Sequence, residues 1–203
     1  MAASETTICN LSLGKIGARR IITLDEESNE ARACRLHYAE TRDEVLRSHR
    51  WNFAIRRETL TTVAIEPAFG WKAGYALPMD CLRVFEVNGW NFARRESVWE
   101  IEGRFVMINE EAADIRYIGR IEDANLFDAI FVEAFATKLA SKIAMPIQGS
   151  VQISGEMLGQ YEKLVGGKAR RTDAFEGRPG RRPAWAGSDL VRSRFQSMPA
   201  WWG

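Results

Sequence analysis

Residues 28–57, SNEARACRLHYAETRDEVLRSHRWNFAIRR, constrain the fold more than any other stretch of the chain. In the first two-thirds Ala31, Cys34, Tyr38, Val45 and His49 recur at steps of three, four and seven, and Ala39, Leu46 and Phe53 extend that face. Glu30, Arg35, Glu40, Asp43, Glu44 and Arg47 take the other side, which is the signature of one long amphipathic helix. The period stops at Ser48-His49-Arg50, where Trp51-Asn52-Phe53 sets two aromatics at i and i+2. That spacing suits an extended chain, whose alternate side chains share a face. The expectation is a helix ending in an aromatic latch, with Trp51 and Phe53 as core residues plugging a helix-to-sheet junction.

A chain of 203 residues has room for a sizeable core. Its net charge of +1 supplies no general field for nucleic acid or anionic lipid. No apolar run approaches the roughly 20 residues that span a bilayer, and residues 1–7 lack a basic leader region, so no membrane partner and synthesis in the cytoplasm are expected. Cys9, Cys34 and Cys81 are odd in number and widely spaced in apolar settings, reading as reduced core thiols and not as a zinc or disulfide framework.

Around the long helix the other elements fall in order. Ser4 or Thr6 can cap a short first helix through Lys15, with Ile8, Leu11 and Leu13 or Ile16 inward. Thr23-Leu24-Asp25-Glu26 has capping-box spacing, leaving Thr23, Asp25 and Ser28 as alternative caps of the second helix. Residues 59–65 read as a strand, Pro67, Gly70 and Gly74 mark a long loop carrying Phe69, Trp71 and Tyr75, and residues 82–87 read as a second strand. Residues 98–101 and 105–108 flank Glu102-Gly103 as a hairpin, and residues 115–118 make another strand. These strands predict one small, mostly antiparallel sheet. Asp123 can cap a third helix that Pro146 halts at Met145. Its broad band of Leu126, Phe127, Ile130, Phe131, Ala134, Phe135, Leu139 and Ile143 predicts burial against both the sheet and the second helix. Ser154 opens a fourth helix with Met157, Tyr161, Leu164 and Val165 on one face, ended by Gly166-Gly167.

From residue 170 periodicity disappears. Seven arginines against three acidic residues give this segment +4 and leave the rest of the chain at −3. Such a composition cannot build its own core, yet it carries Trp185, Phe195, Trp201 and Trp202. Arginine and tryptophan are the types most enriched at binding hot spots, so it reads as an arm that orders on a neighbour. The fold class expected is α+β, an antiparallel-type helix bundle with an inserted small antiparallel β-domain and an extended C-terminal arm. The divisions expected are residues 1–57, 58–120, 121–170 and 171–203.

Chemistry-bearing motifs are few. The chain has no glycine-rich phosphate loop, no Gly-x-Ser-x-Gly and no His-Glu-x-x-His. His37 and His49 are not at the spacing of a ligand pair. Asp43-Glu44 and Glu110-Glu111 could serve as glycosidase carboxylates, but adjacent residues on a helix diverge and a turn pair is usually solvated. No catalytic residue, cofactor or metal is expected.

The order of the local motifs resembles the tail tubular protein A, or head-to-tail adaptor, family of short-tailed bacteriophages. The resemblance runs through Leu13-Gly14-Lys15-Ile16-Gly17, Ile22-Thr23-Leu24-Asp25-Glu26, Ala31-Arg32-Ala33-Cys34 and Arg42-Asp43-Glu44-Val45-Leu46-Arg47. It continues in Trp51-Asn52-Phe53-Ala54, Gly70-Trp71, Tyr75-Ala76-Leu77-Pro78 and Asp80-Cys81-Leu82-Arg83-Val84, and in the helices near Leu126 and over residues 157–169. It covers roughly residues 5–170 and leaves the arginine- and tryptophan-rich arm unmatched.

The resemblance implies a virion protein at the head-tail junction, one subunit of a dodecameric ring joining the portal protein above to the tail nozzle below. DNA would pass through the lumen without specific binding, along a wall without net basic character. The arm would anchor on the portal or a neighbouring subunit through Trp185, Phe195, Trp201, Trp202, Arg181 and Arg182, with Arg178, Arg181 and Arg182 pointing away from the channel. Two rival readings remain: a tail-associated cell-wall or glycan hydrolase, and a nucleic-acid-binding module that uses the basic, aromatic-rich segment.

Overall fold

The computed structural model describes residues 4–91 and 99–169. It is an α+β structure in which four helices bracket two small antiparallel sheets, all strands falling between the second and third helices. The arm lies outside the described residues.

Ser4 starts α1 (Glu5–Lys15), its Oγ accepting the Thr7 N–H at 3.1 Å. Ile8, Cys9, Ser12, Leu13 and Ile16 form the buried stripe, while Leu11, expected inward, is 43% exposed. The linker that follows is pinned by Asn10, whose side-chain amide donates to the Ile21 carbonyl and accepts the Ile21 N–H, both at 2.9 Å. Of the three candidate caps, Ser28 begins α2 (Asn29–Ser48), accepting the Ala31 N–H at 3.2 Å. Glu30 in its first turn and Arg47 in its last complement the helix dipole. Ala31, Cys34, Tyr38, Thr41 and Val45 make the buried stripe, flanked by Ala33, Arg42 and Leu46, whereas Ala39 faces out.

The junction after α2 is not the extended segment that its i, i+2 aromatics suggested. Asn52–Ala54 make one tight 3₁₀ turn, closed by the Ala54 N–H on the Trp51 carbonyl at 2.9 Å. The chain must swing from helix to strand here, and a turn does so while keeping Trp51 buried and Phe53 half-buried against the helical core. Trp51 meets Phe131 edge-on at 5.2 Å between centroids, and Phe53 meets Phe131 at the same separation.

The first sheet has the order β1-β8-β4-β5, from β1 (Ile55–Leu60), β8 (Ala113–Gly119), β4 (Cys81–Val87) and β5 (Trp90–Asn91). The second has the order β2-β3-β7-β6, from β2 (Val63–Ile65), β3 (Ala73–Ala76), β7 (Phe105–Ile108) and β6 (Glu100–Glu102). The single strand expected over residues 59–65 is therefore two strands in different sheets, parted at Thr61-Thr62, and Tyr75, expected in a loop, lies buried in β3. Gly103 (φ 60°) turns the β6–β7 hairpin, and Asn88-Gly89 (φ 49° and 78°) joins β4 to β5.

Two cores result, with the first sheet between them. Ile115 and Tyr117 of β8 belong to the core shared by the two sheets, with Val84, Val106 and Ile108. Ile118, one residue on and so on the opposite face, joins the helical core, as does Phe85 of β4. A register shift between Val84 and Glu86 lets Val84 and Val87 reach the same inter-sheet core three residues apart.

Asp123 caps a short 3₁₀ turn (Ala124–Leu126), and Asp128 caps α3 (Ala129–Gln148), accepting the Ile130 N–H at 2.7 Å. The third helix thus starts later than expected, and Leu126 is exposed. It also ends later. Pro146 sits in its last turn, where it forfeits the bond its N–H would make and crowds the Lys142 carbonyl, yet the helix runs on to Gln148 and closes at Gly149 (φ 64°). α4 (Val151–Lys163) is capped by Ser150, not Ser154, and instead of stopping at Gly166-Gly167 the chain widens into a π-type turn, Leu164–Ala169. α3 is the hub of the bundle: it packs against α2 as expected, but its other sides meet α1 and α4 more than the sheet. Phe131, Phe135, Leu139 and Ile143 are fully buried along it, each stabilising by about 1.5–3 kcal/mol.

Candidate functional site

Where the end of α2 passes over β4 and the β6–β7 hairpin, the described residues leave a cleft of about 540 Å³. Four arginines line it: Arg47 in the last turn of α2, Arg50 just beyond, Arg83 on β4, and Arg104 after the hairpin glycine. Each is placed by a local cause. Arg47 caps the helix dipole and donates to the Leu82 carbonyl, tying α2 to β4. Arg104 Nη2 donates to the Pro78 carbonyl at 2.5 Å and holds the hairpin against the loop before β4. Arg50 lies over the Phe85 ring, 4.6 Å from its centroid. Arg83 has a buried Nε with no hydrogen-bond partner.

Among the described residues the lining holds no carboxylate. Burial first, then Arg50 and Arg47, press the Arg83 guanidinium below its ordinary pKa. Cys81, at the same wall, is pushed up to about 11, mainly by burial, so its thiol stays protonated near neutrality and is a poor nucleophile. Leu82, Val84, Phe85 and Ile101 supply an apolar floor. Four guanidinium groups above an apolar floor have the chemistry to accept an oxyanion attached to something apolar.

Of the two acidic pairs, Asp43, Glu44 and Glu110 are engaged elsewhere and Glu111 is exposed. Asp43 accepts from Arg120 Nε at 2.7 Å and from Arg42 Nε at 3.0 Å, whereas its neighbour Glu44 turns to Lys138 at 2.9 Å and Lys142 at 2.8 Å. Glu110 accepts from Asn88 at the β4–β5 turn, and its backbone carbonyl takes the Tyr75 hydroxyl at 3.1 Å. His49 packs edge-on against Trp51 at 5.0 Å, beside the junction. Cys9 and Cys34 are free thiols facing each other in the helical core. Their mutual hydrogen bond, with burial adding, raises Cys9, and the same bond lowers Cys34.

Among the described residues no group of three or more His, Cys, Asp and Glu converges to hold a metal, and no helix is long and apolar enough to cross a membrane. Trp51 and Phe53 lie at the junction. Arg181, Arg182, Trp185, Phe195, Trp201 and Trp202 lie outside the described residues, as does Arg178. The cleft arginines are scattered over residues 47–104 and no local spacing marks them as a group. No protein-family model matches this chain, and no curated protein matches it.

Proposed function

We propose that this chain is a non-enzymatic assembly protein, a head-to-tail adaptor of a tailed bacteriophage. In this reading copies form a ring beneath the portal, receive the tail nozzle and let DNA pass. The observation that carries it is an agreement between two levels. The order of motifs resembles the adaptor family, and that resemblance implies a helix bundle with a β-domain standing beside it. The described chain has four helices bracketing two inserted antiparallel sheets. Supporting it further, the Asp43-Glu44 carboxylates are each held by cationic partners and so are poorly disposed as an acid/base pair.

The functional surfaces are then the cleft at the end of α2 and the segment over residues 171–203, whose arginines and tryptophans suit anchoring on the portal or a neighbour. Removing residues 171–203 is expected to leave a folded body while abolishing docking on the portal, read by co-sedimentation and by mass measurement of the mixture. Full portal binding by the truncated chain removes the arm from the mechanism. A full-length chain that stays solitary beside portal and nozzle proteins overturns the adaptor reading altogether.

A further inference from the structure

The arginine cleft has a counterpart on the same chain that it cannot reach. The turn over residues 22–27 joins α1 to α2 and carries Ile22, 86% exposed, with Asp25 and Glu27 also exposed and engaged in no ion pair among the described residues. Its shape is held from within. Asn10 brackets Ile21, the Glu26 carboxylate accepts the Ile22 N–H at 3.0 Å, and Arg35 donates to the Leu24 carbonyl at 3.2 Å. A turn fixed in this way loses little conformational entropy when it binds. It offers two carboxylates beside a bare aliphatic side chain, which complements guanidinium groups above an apolar floor.

The turn precedes the first residue of α2, and the cleft begins at its last turn. The 20 residues of α2 separate them by about 30 Å. One chain cannot bring the two together, but two chains can. We propose that copies of this chain associate head to tail, the acidic Ile22-bearing turn of one copy seating in the arginine cleft of the next. This rests on the ring reading above and names the contact that would propagate it, since unlike faces meeting repeatedly generate a closed ring or a filament.

Arg50 and Arg83 are the receiving groups. Neither has an ion pair among the described residues, whereas Arg47 and Arg104 are committed to backbone carbonyls and shape the walls. Gathering like charges without an anion is unfavourable, and an incoming carboxylate relieves it through charge-assisted hydrogen bonds. The basic segment over residues 170–203, at +4, has the wrong charge to be the occupant. A nucleic-acid strand suits the cleft less well, because Phe85 is the one aromatic ring among the described lining residues and Arg50 already lies over it.

The test uses the full chain in solution, with oligomer size read by sedimentation and native mass measurement. Wild type is expected to self-associate. Asp25→Lys/Glu27→Lys and Arg50→Glu/Arg83→Glu are each expected to weaken that association about tenfold or more. Mixed in equal amounts, the two variants offer each other one native contact and one charge-swapped contact, so they should co-assemble into alternating oligomers larger than either forms alone. All four changes in one chain should restore larger assemblies. Arg50→Gln/Arg83→Gln, with a melting curve matching wild type, provides the loss of charge without the risk of misfolding.

The contact is overturned if Asp25→Lys/Glu27→Lys, Arg50→Glu/Arg83→Glu or Arg50→Gln/Arg83→Gln assembles like wild type, if the mixture stays monomeric, if the chain with all four changes fails to assemble, or if wild type itself never self-associates. It is equally overturned if a single-stranded oligonucleotide or inorganic phosphate binds wild type and loses binding with Arg50→Gln/Arg83→Gln. None of these results touches docking on the portal, so failure here is distinguishable from failure of the adaptor reading.

Discussion

The indole Nε1–H of Trp51 donates to the carbonyl of Val45 at 2.9 Å, reaching back six residues to one of the carbonyls that the end of α2 leaves without an intrahelical donor. Ser48 Oγ donates to the same carbonyl at 2.8 Å and itself accepts the Tyr161 hydroxyl of α4 at 3.0 Å. One carbonyl thus gathers the helix end, the junction and the last helix. Trp51→Phe keeps a ring and loses one donor, and should cost about 1 kcal/mol, since Ser48 still serves Val45. Trp51→Ala also empties the space against Phe131 and should cost about 3–5 kcal/mol. Urea unfolding of both variants checks the ordering, and equal losses would deny the packing role.

Glu44 stands between Lys138 and Lys142. Burial alone would raise its carboxyl, but hydrogen bonds from Lys142 and Lys138 outweigh burial and hold it below the ordinary range. A folded-state pKa below the unfolded one stabilises fully above the ordinary carboxylate range, and that stabilisation is lost as pH falls through the folded value. Burial would lower Lys142, yet Glu44 and Glu40 raise it, so its share is complete below the ordinary lysine range and lost as pH rises through its folded value. Glu44→Gln is therefore expected to flatten stability against pH on both the acid and the alkaline limbs. Urea midpoints across pH test this, and superimposable profiles would exclude it. The pair is partly exposed, so solvent screening keeps the effect modest.

Two strand glycines should respond differently to the same change. A Cβ at Gly74 would lie 2.6 Å from Ile65 Cγ1 and 2.9 Å from Met107 Sδ, inside the second sheet. Ile65 is stiff at χ1, so Gly74→Ala should destabilise by about 1–3 kcal/mol. At Gly119 the obstruction is Arg56, with Cδ at 2.6 Å, and its long side chain can swing aside at the expense of its ion pair with Asp80. Gly119→Ala should cost about 1 kcal/mol or less, as expected of a partly exposed pair. Thermal melts of the two variants decide, and a larger loss at Gly119 would reverse the reasoning.

What the sequence alone determined is local. The period over residues 28–48 specified α2, the apolar band specified α3, and Glu102-Gly103 specified a hairpin, because each signal acts between residues three or four apart. Asn88-Gly89 carries an equally local hairpin signal that went unread. Ser4 and Ser28 were legible among the candidate caps, but Asp128 and Ser150 took the places expected for Asp123 and Ser154, because neighbouring helices fix where each helix enters the bundle.

The tertiary structure decided the rest. Thr61-Thr62 hands the chain from one sheet to another because β1 pairs with β8 while β2 pairs with β3, alignments between segments far apart in sequence. Ala39 and Leu11 turned outward because a helix stripe is only as wide as the surface it meets. The cleft is the extreme case: Arg47, Arg50, Arg83 and Arg104 share no local pattern, and only the crossing of α2 over β4 and the β6–β7 hairpin brings their charges together.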